Sequence, residues 1–595
     1  MYNLLDEAWQ PALVAADGET ERAGVLRLLA EAHRYADLLV ETPTQRPALY
    51  RQLLLPFVLD ALHELLPRDA EAWAALFRRG RFTERQTERL LGYGEEHRAR
   101  FGLFDAAHPF AQVRGLHTAK GETKSATALV ATAAQGNNVP LFSSRTDGDE
   151  LRLDPGEAAR WLLHTHCWDT GAIKTGAVGD RQAKQGKTTG NPVGPLGSLG
   201  VVMPRGRTLF ETLLLNLPFK KRVLPEDAPQ WRCVDITHRR CADGTAYRPC
   251  AATPAWRQRP ATGLLDLWTW QSRRALLLPE RDGDGGLYVA RVVLAGGDRL
   301  ELTPDDEPHT AWVIDTRTTA HHRRRPTTGR AGTEPASGAE SASGAADGPA
   351  PKRPLRHVTG RAGWRGLNAL LAFAHAPEVP DPSDRSAGRR HETTQLLMTL
   401  AEARDELDPE YPLRLDLTGM TYGTKLGHVE DSFHDEVPLP LAALRYDGPV
   451  RAALLEAVLH AEELAGAVNR LDGHLRRAAG AEPVPPLAWQ QPGERLLALL
   501  GPLVLALLRD LRHVGEDEEA CDTRLTHWEG AARWAAWQVA EELLGTAVPG
   551  VVSGRRVQLN NGSEQMFRLS TAEAAFRRAL GGILRRLPQP ATIRS

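Results

Sequence analysis

The sequence from residue 136 to residue 200 reads GNNVPLFSSRTDGDELRLDPGEAARWLLHTHCWDTGAIKTGAVGDRQAKQGKTTGNPVGPLGSLG. Pro155–Cys167 has the apolar spacing of a helix, and the periodicity then stops. From Thr170 to Gly200 glycine recurs at short intervals, with Lys174, Lys184 and Lys187 among the glycines. A long aperiodic loop inside a compact domain is usually functional or disordered. The interleaved lysines indicate contact with phosphates, and a solvated loop without function is the alternative.

One motif in this loop resembles part of a nucleotide-binding site. Gly186-Lys187-Thr188 resembles the end of a phosphate-binding P-loop, which needs a glycine five residues before the Gly-Lys pair. That position is Arg181, and no strand-like run leads into the loop. The sequence therefore does not predict a P-loop.

Composition limits the classes of function that remain. The chain has 595 residues, a formal net charge of −2 and 42% hydrophobic residues, which predicts a globular protein with room for several domains. With so little net charge, nucleic acid would have to be bound locally or together with basic partners. We expect a soluble, cytoplasmic protein, because there is no signal-peptide pattern and the longest apolar run, Leu496–Leu508, is too short to span a bilayer.

The five cysteines do not predict a disulfide scaffold. Cys233, Cys241 and Cys250, with His238, offer ligands for zinc, but their spacing fits no common site. We therefore predict no metal and no cofactor.

The first half of the chain predicts a mixture of helices and a small sheet. Helical spacing occurs at about 21–35, 46–66, 84–99 and 209–217. Ala275–Leu278 has the composition of a strand, and Leu287–Leu294 and Arg299–Leu302 alternate in a way that predicts an antiparallel pair.

Residues 326–351 separate this region from the second half of the chain. They are rich in Gly, Ala, Ser, Pro and Thr and have no large apolar residue, which predicts a flexible insertion. From residue 446 the chain has four amphipathic segments, which predict a four-helix bundle: 448–478, 493–513, 523–545 and 570–588. We therefore divide the chain into an N-terminal domain, 1–445, and a C-terminal four-helix bundle, 446–595.

No pattern in the chain demands catalysis. His434-Asp435 is an adjacent pair of metal-ligating residue types, but the further His and Asp ligands of such hydrolases have no support in the sequence. No Gly-x-Ser-x-Gly elbow stands on a strand–helix turn. The residues alone predict a mainly helical binding or assembly protein rather than an enzyme.

Several short segments, in order along nearly the whole chain, resemble one known family. They are Asn3–Trp9, His108-Pro109-Phe110, Gly136–Phe142, Arg205-Gly206, Leu213–Asn216, Trp268–Arg274, Trp364–Leu367 and Ser570–Glu573. Together they resemble CasA, the large subunit of the type I-E CRISPR Cascade complex, in its actinobacterial form.

The resemblance implies a fold and a function. The fold is α+β and mainly helical, with a large N-terminal domain of distinctive architecture containing a small antiparallel sheet, followed by a C-terminal four-helix bundle. The function is non-catalytic. It consists of reading the protospacer-adjacent motif in double-stranded target DNA, starting strand separation and offering a platform for the CRISPR helicase-nuclease. The implied partners are the CRISPR guide RNA and the backbone, small and guide-end-binding Cascade subunits. Guide pairing would supply most of the specificity.

Three loops take their roles from the resemblance. The docking loop, Gly136–Gly148, would contact the guide RNA and neighbouring subunits through Asn137, Asn138 and Phe142. The glycine-rich loop would lie against the minor groove or backbone of the motif through Gly190, Asn191 and Gly194. The wedge turn, Thr424, Lys425 and Leu426, would split the duplex.

The sequence departs from the family at two of these positions. The wedge usually offers glutamine or asparagine, where this chain has Lys425 and Leu426. The family's basic finger would fall near Arg281–Leu287, which contains no lysine, so Arg281, or Arg273 and Arg274 before it, would have to substitute. Two other functions stay open: a stand-alone metal-dependent nucleic-acid hydrolase using His434-Asp435, and a purely structural scaffold subunit.

Overall fold

The computed structural model describes most of the chain, namely residues 2–131, 133, 151–180, 182–220, 222–233, 258–315, 352–373, 389–481, 486–558 and 562–588. No helix in these ranges combines the length and the apolarity that crossing a membrane requires.

The described helices are short in the first three quarters of the chain and long in the last. They are α1 Val25–Ala30, α2 Gln45–Leu49, α3 Leu55–Leu62, α4 Ala70–Arg79, α5 Glu84–His97, α6 Pro155–Trp168, α7 Leu209–Leu215, α8 Leu264–Trp268, α9 Leu367–Leu370, α10 Gln395–Ala403, α11 Pro449–Ala479, α12 Pro486–Leu511, α13 Glu518–Gly545 and α14 Leu569–Ile583. A π-helical turn, Tyr50–Leu54, joins α2 to α3.

The described strands form small sheets rather than one large one. They are β1 Gln10–Val14, β2 Thr20–Ala23, β3 Tyr35–Leu38, β4 Lys124–Ser125, β5 Lys174–Thr175, β6 Lys187–Thr188, β7 Val201–Arg205, β8 Gln258–Arg259, β9 Arg273–Arg281, β10 Leu287–Gly296, β11 Arg299–Leu300, β12 Trp312–Asp315, β13 Lys352–Pro354, β14 Arg389–Glu392, β15 Arg414–Tyr422, β16 Val429–Pro438, β17 Arg555–Gln558 and β18 Glu564–Phe567.

Two antiparallel sheets position the candidate site. One has the order β4-β10-β9, and the other has the order β16-β15-β7. The central strand β15 is buried over nearly its whole length, so it belongs to the core, while its hairpin with β16 ends at the surface. The mixed helix and small-sheet architecture agrees with the predicted class.

Two local predictions were wrong. Arg299-Leu300 does not pair with β10; it pairs in parallel with β8, and β10 pairs with β9 instead. The helix expected over 21–35 is a strand, β2, followed by the six-residue helix α1, because β2 pairs with β1. In both cases a partner strand outside the local window decided the structure.

The helix that leads into the glycine-rich loop is defined by local chemistry. Asp154 caps α6 by accepting bonds from the backbone of Gly156 and Glu157, and the Glu157 side chain accepts from the Asp154 backbone in return. Pro155 occupies the first turn, where a missing N–H costs nothing. Helix α6 is buried almost throughout, so the loop after it starts from a fixed point.

The C-terminal region contains the four predicted long helices. Helix α11 packs against α12, α13 and α14, and α12 packs against α13. Arg365, in the turn just before α9, connects this region to the first part of the chain. Its guanidinium donates to Glu462 at 2.6 Å and to Glu494 at 2.7 Å. One continuous apolar core runs from the N-terminal sheet into these helices.

Candidate nucleic-acid interface

The glycine-rich loop is a hairpin with a buried base and an exposed, basic tip. Strands β5 and β6 pair through Lys174 and Thr188. At the tip, Lys184 and Lys187 are exposed, whereas Lys174 is buried. The predicted phosphate-contacting lysines are therefore divided: two face solvent and one is structural.

Ion pairs between side chains hold the base of this loop in place. Asp169, at the end of α6, accepts from the Lys174 ammonium at 3.0 Å and from the Arg273 guanidinium. Arg273 also donates to the carbonyls of Thr170 and Pro192, each at 2.8 Å, so it joins the two ends of the loop. Burial alone would raise the pKa of Asp169, but the two neighbouring cations lower it to about 2.

The three predicted DNA-contact residues of this loop differ in placement. Gly190 is exposed and has a positive φ of 65°, a conformation that glycine adopts without strain. The buried Asn191 amide donates to the carbonyls of Ala172 and Thr188, both at 3.1 Å. Gly194 is buried, and a Cβ there would lie 2.3 Å from the carbonyl carbon of Cys167. Of the three, only Gly190 presents its surface outward.

The wedge turn joins β15 to β16 and lies against the glycine-rich loop. Lys425 and Leu426 both have positive φ, 60° and 57°. Leu426 is 39% exposed, and a Cβ at Gly171 would lie 2.9 Å from its Cβ. Below the turn, the Tyr422 hydroxyl donates to the Trp168 carbonyl at 2.6 Å. The structure thus brings two sequence-predicted elements, separated by more than 200 residues, onto one surface.

The hairpin β9–β10 does not supply the expected basic finger. Its turn, 282–286, contains Asp282 and Asp284, and Glu280 precedes it. Arg281 is exposed and donates to the Gly285 carbonyl at 2.8 Å. The tip is therefore acidic overall, with one cation.

The assignment of Arg273 and Arg274 to DNA contact has to be corrected. Arg273 is 1% exposed and Arg274 is 3% exposed. Arg273 pairs with Asp169, and Arg274 pairs with Asp180 at 2.5 Å. Each guanidinium is enclosed by the chain's own carboxylates and carbonyls, so it has no surface to offer a phosphate.

The docking-loop residues Asn137, Asn138 and Phe142 lie outside the described residues, as do Cys241, Cys250 and His238 of the zinc hypothesis. The Cys233 thiol donates to the Pro229 carbonyl at 3.6 Å.

His434 and Asp435 do not act as a pair. They are neighbours on β16, and their side chains serve different partners: His434 lies 3.1 Å from the Asp416 carboxylate, and Asp435 accepts from the Gly363 backbone at 2.6 Å. Asp416 is also paired with Arg46 at 2.7 Å. Both side chains therefore bind neighbouring parts of the chain and have a structural role.

One group among the described residues has the spacing of metal ligands. Glu456 and His460 on α11 and Glu529 on α13 place their ligand atoms within 4.8 Å of one another. Arg586 already bridges the two carboxylates, at 2.5 Å from Glu456 and 3.1 Å from Glu529. The guanidinium supplies the positive charge that this cluster requires, so the group is explained as an ion-pair anchor for the end of the chain.

Comparisons with known proteins give a consistent result. A family model described as CRISPR-associated protein Cse1 matches residues 3–539. The CRISPR-associated protein CasA/Cse1 of Thermus thermophilus is 31% identical over 320 residues, or 53% of this chain and 56% of that protein, so the match spans little more than half of that relative. The crystal structure of Thermobifida fusca Cse1 matches with a TM-score of 0.75 and 29% identity, covering 99% of both chains. A chain of a CRISPR RNA-guided surveillance complex shares the fold, with a TM-score of 0.63 and 17% identity over 91% of this chain and 99% of that one.

Proposed function

Because this chain belongs to the Cse1 family of CRISPR-associated proteins, also named CasA, we propose that it is the large, non-catalytic subunit of a type I-E CRISPR Cascade complex. The match of the family model to residues 3–539 carries the proposal. The similar fold of a chain from a CRISPR RNA-guided surveillance complex supports it. In this role the guide RNA, the target DNA and the other Cascade subunits are its partners, and the long helices form the four-helix bundle of the family.

We assign recognition of the protospacer-adjacent motif to the tip of the glycine-rich loop. The exposed Lys184 and Lys187 suit phosphate contacts, and the bare backbone at Gly190 permits close approach to a minor groove. The minor groove carries a degenerate code, so a few backbone and polar contacts suffice for a short motif. Arg281 remains available as an outlying cation.

We assign duplex opening to the wedge turn. Unstacking one base step costs a few kcal/mol, and a side chain that fills the gap offsets part of that cost. Leu426 supplies an exposed apolar surface, and Lys425 supplies a cation beside it. The turn lies directly beside the glycine-rich loop, so the motif would be read next to the point of opening.

The remaining contacts are those expected of the family. The docking loop would hold the subunit on the guide RNA through Asn137, Asn138 and Phe142, and the C-terminal helices would help to receive the helicase-nuclease. The structural partners of His434 and Asp435 favour this non-catalytic role over a stand-alone hydrolase.

The experiment is target opening by the assembled complex. The protein would be combined with guide RNA and the other subunits, and unpaired thymines in the target would be detected by permanganate. We expect Lys425→Ala with Leu426→Ala to assemble normally but to open closed linear duplex at least tenfold more slowly, with rescue on pre-opened bubble targets. Arg556→Ala, which removes one exposed cation on β17, is the matched control for lost charge.

Three outcomes would overturn the proposal. Opening of closed duplex by the double variant at the wild-type rate would remove the wedge assignment. Target binding that is unchanged without this chain would favour a scaffold. Metal-dependent cleavage of nucleic acid by the isolated chain, abolished by His434→Ala, would favour the hydrolase.

A further inference from the structure

A cavity of about 250 Å³ lies where the elements of the proposed interface meet. Its walls come from β4 and the segment after it, the end of α6, the base of the glycine-rich loop, strand β10 and the hairpin of the wedge turn. These elements are represented by Lys124, Ala128, Asp169, Lys174, Leu294 and Gly427. The volume is slightly below the range of about 300–1,000 Å³ common for small-molecule sites. It has room for one small group and excludes a base-paired duplex.

The charges lining this cavity favour an anion. Lys124 and Lys174 both contribute to the wall, and Asp169 is the carboxylate between them. The Lys174 ammonium is already paired with the Asp169 carboxylate, whose nearer oxygen, Oδ2, lies 2.7 Å away. No carboxylate of the described chain lies within ion-pair distance of the Lys124 ammonium. Arg273, behind the wall, also pairs with Asp169. The cations therefore outnumber the single anion, and Lys124 remains available.

Burial makes an anionic ligand more favourable still. It lowers the pKa of Lys124, and it lowers the pKa of Lys174 to about 8 despite the neighbouring Asp169. A desolvated ammonium gains more from a second negative charge than a solvated one does. Burial also lowers the pKa of His164, to about 3, so this imidazole is neutral near pH 7 and does not compete for the anion.

Apart from these charged groups and the polar His164, Thr165 and Thr170, the lining is apolar and offers a surface for the flat face of a base. Leu129, Val130 and Leu294 form one part of the wall, and the buried Trp168 also lines the cavity. Ile173, which is 59% exposed, and Val429 lie at the sides of the glycine-rich loop and the wedge hairpin. A cation beside a surface on which a base can stack is the combination by which proteins bind unpaired nucleotides, and Trp168 supplies an aromatic ring to this lining.

We propose that this cavity binds one unpaired nucleotide of the target DNA, its phosphate at Lys124 and its base against the wall formed by Leu129, Val130 and Leu294. The nucleotide becomes available when the duplex opens at the wedge turn, whose Gly427 borders the cavity. Binding it would oppose closure of the first separated pair. The inference rests on the proposed function and adds to it a site that holds the product of opening.

The test is photo-crosslinking in the assembled complex. Target duplexes would carry 4-thiothymidine at single positions on either side of the opening point, in either strand, and a further arm would carry 4-thiouridine near the 5′ end of the guide RNA. Crosslinked peptides would be identified by mass spectrometry. We expect a crosslink from one target-strand or displaced-strand position to residues 124–131 or 165–174. A crosslink at these peptides from the guide RNA alone would overturn the assignment to DNA.

Three variants and one control test which features of the cavity the crosslink needs. Lys124→Gln removes the free ammonium, and Ala128→Leu narrows the cavity; each is expected to reduce the crosslink at least tenfold. Lys120→Gln is the matched control, since Lys120 is four residues away, is 81% exposed at its side chain and lies outside the cavity. Lys124→Arg is expected to retain the crosslink. Lys124→Gln keeps the inference testable if Ala128→Leu fails to fold.

Permanganate reactivity of the same complexes distinguishes failure of the nucleotide site from failure of the proposed function. If the target never opens, the proposed function fails. If the target opens but no crosslink reaches these peptides, or if Lys124→Gln crosslinks as well as the wild type, the nucleotide site alone is wrong.

Discussion

At the scale of single residues, the wedge turn carries stored backbone strain. Lys425 and Leu426 are consecutive non-glycine residues with positive φ, a conformation that costs roughly 1–3 kcal/mol for each such residue. Glycine would adopt this backbone without steric penalty. We therefore propose that these two side chains are needed for the duplex opening assigned to this turn.

Replacing Lys425 by glycine separates stability from function at this turn. We expect Lys425→Gly to leave the free energy of unfolding unchanged or to raise it by about 1 kcal/mol, because relief of strain exceeds the added entropy of the unfolded chain. The same variant should open closed duplex more slowly. Urea denaturation gives the first quantity and permanganate reactivity the second. A variant that is clearly less stable than the wild type would show that this φ carries no strain.

Arg273 determines whether the glycine-rich loop keeps its shape. Arg273→Ala would leave the Asp169 carboxylate with Lys174 alone and would remove the donor from two loop carbonyls. Breaking a buried ion pair by removing one partner typically costs about 3–5 kcal/mol. We expect a loss of this size in thermal or urea unfolding, and Arg281→Ala, at an exposed site on the same strand, should change stability by less than about 0.5 kcal/mol. Equal effects of the two substitutions would contradict the buried role.

At the scale of elements, the sequence predicts structure well where the deciding interactions are local. Helix α6 was expected because its cap, Asp154-Pro155 with Glu157, and its apolar spacing lie within one segment. The strand pairing of Arg299–Leu302 was not predictable, because its partner β8 lies some 40 residues earlier and is parallel. In the candidate site, too, local features could be predicted and contacts between distant parts of the sequence could not. The exposed lysines of the glycine-rich loop were suggested by composition, whereas the burial of Arg274 depends on Asp180, 94 residues away in the sequence.

The cavity beside the wedge turn is a further example of a feature that the local sequence does not predict. Lys124 lies in an ordinary polar stretch of sequence. Only the packing of five separate elements brings it into the lining of the same cavity as Lys174. No periodicity or motif could have indicated this. In contrast, the tryptophans of the family-like segments, Trp9, Trp268, Trp270 and Trp364, are all buried core residues, which explains why they mark the fold.

The insertion between β12 and β13 should be dispensable for folding. Strand β12 ends at Asp315, β13 begins at Lys352, and Ile314 pairs directly with Lys352, so the intervening segment leaves and returns at adjacent positions of one ladder. Replacing residues 326–351, the insertion predicted from composition, by Gly-Ser-Gly-Ser is expected to preserve the fold and to raise the free energy of unfolding by about 1 kcal/mol, because a shorter loop costs less closure entropy. Circular dichroism and the melting temperature provide the measurement. A large fall in melting temperature would show that the segment packs against the domain.

At the scale of the whole molecule, partly buried ion pairs link parts of the chain that are distant in sequence. Arg365 joins the first region to two of the long helices through Glu462 and Glu494, and Arg586 joins the chain's last described turn to α11 and α13. Buried ion pairs contribute less net stability than apolar packing of the same volume, but they penalise alternative placements strongly. We therefore expect these pairs to determine the relative placement of the helices more than they add to the free energy of unfolding.

The pH dependence of stability tests the packing around α6 at a buried histidine. His164 on α6 is 1% exposed, and its Nε2 lies 3.0 Å from the Thr44 hydroxyl. Burial lowers its pKa from 6.5 to about 3, so between these values the unfolded chain binds a proton that the folded chain does not. Stability therefore rises with pH across this window and falls as the pH drops from 6.5 towards 3, by up to about 1.4 kcal/mol per pH unit for this one group. The fully buried His309, whose pKa is also lowered by burial, acts in the same direction.

The decisive comparison is between the wild type and His164→Gln over pH 5–6.5, above the range in which most carboxylates titrate. Glutamine keeps a polar group within reach of Thr44 but cannot take up the proton. The variant should be somewhat less stable than the wild type at pH 7, because its fit is poorer, yet its free energy of unfolding should fall less steeply as the pH decreases. Parallel profiles would mean that His164 takes up its proton as readily in the folded protein as in the unfolded chain, and that burial does not lower its pKa.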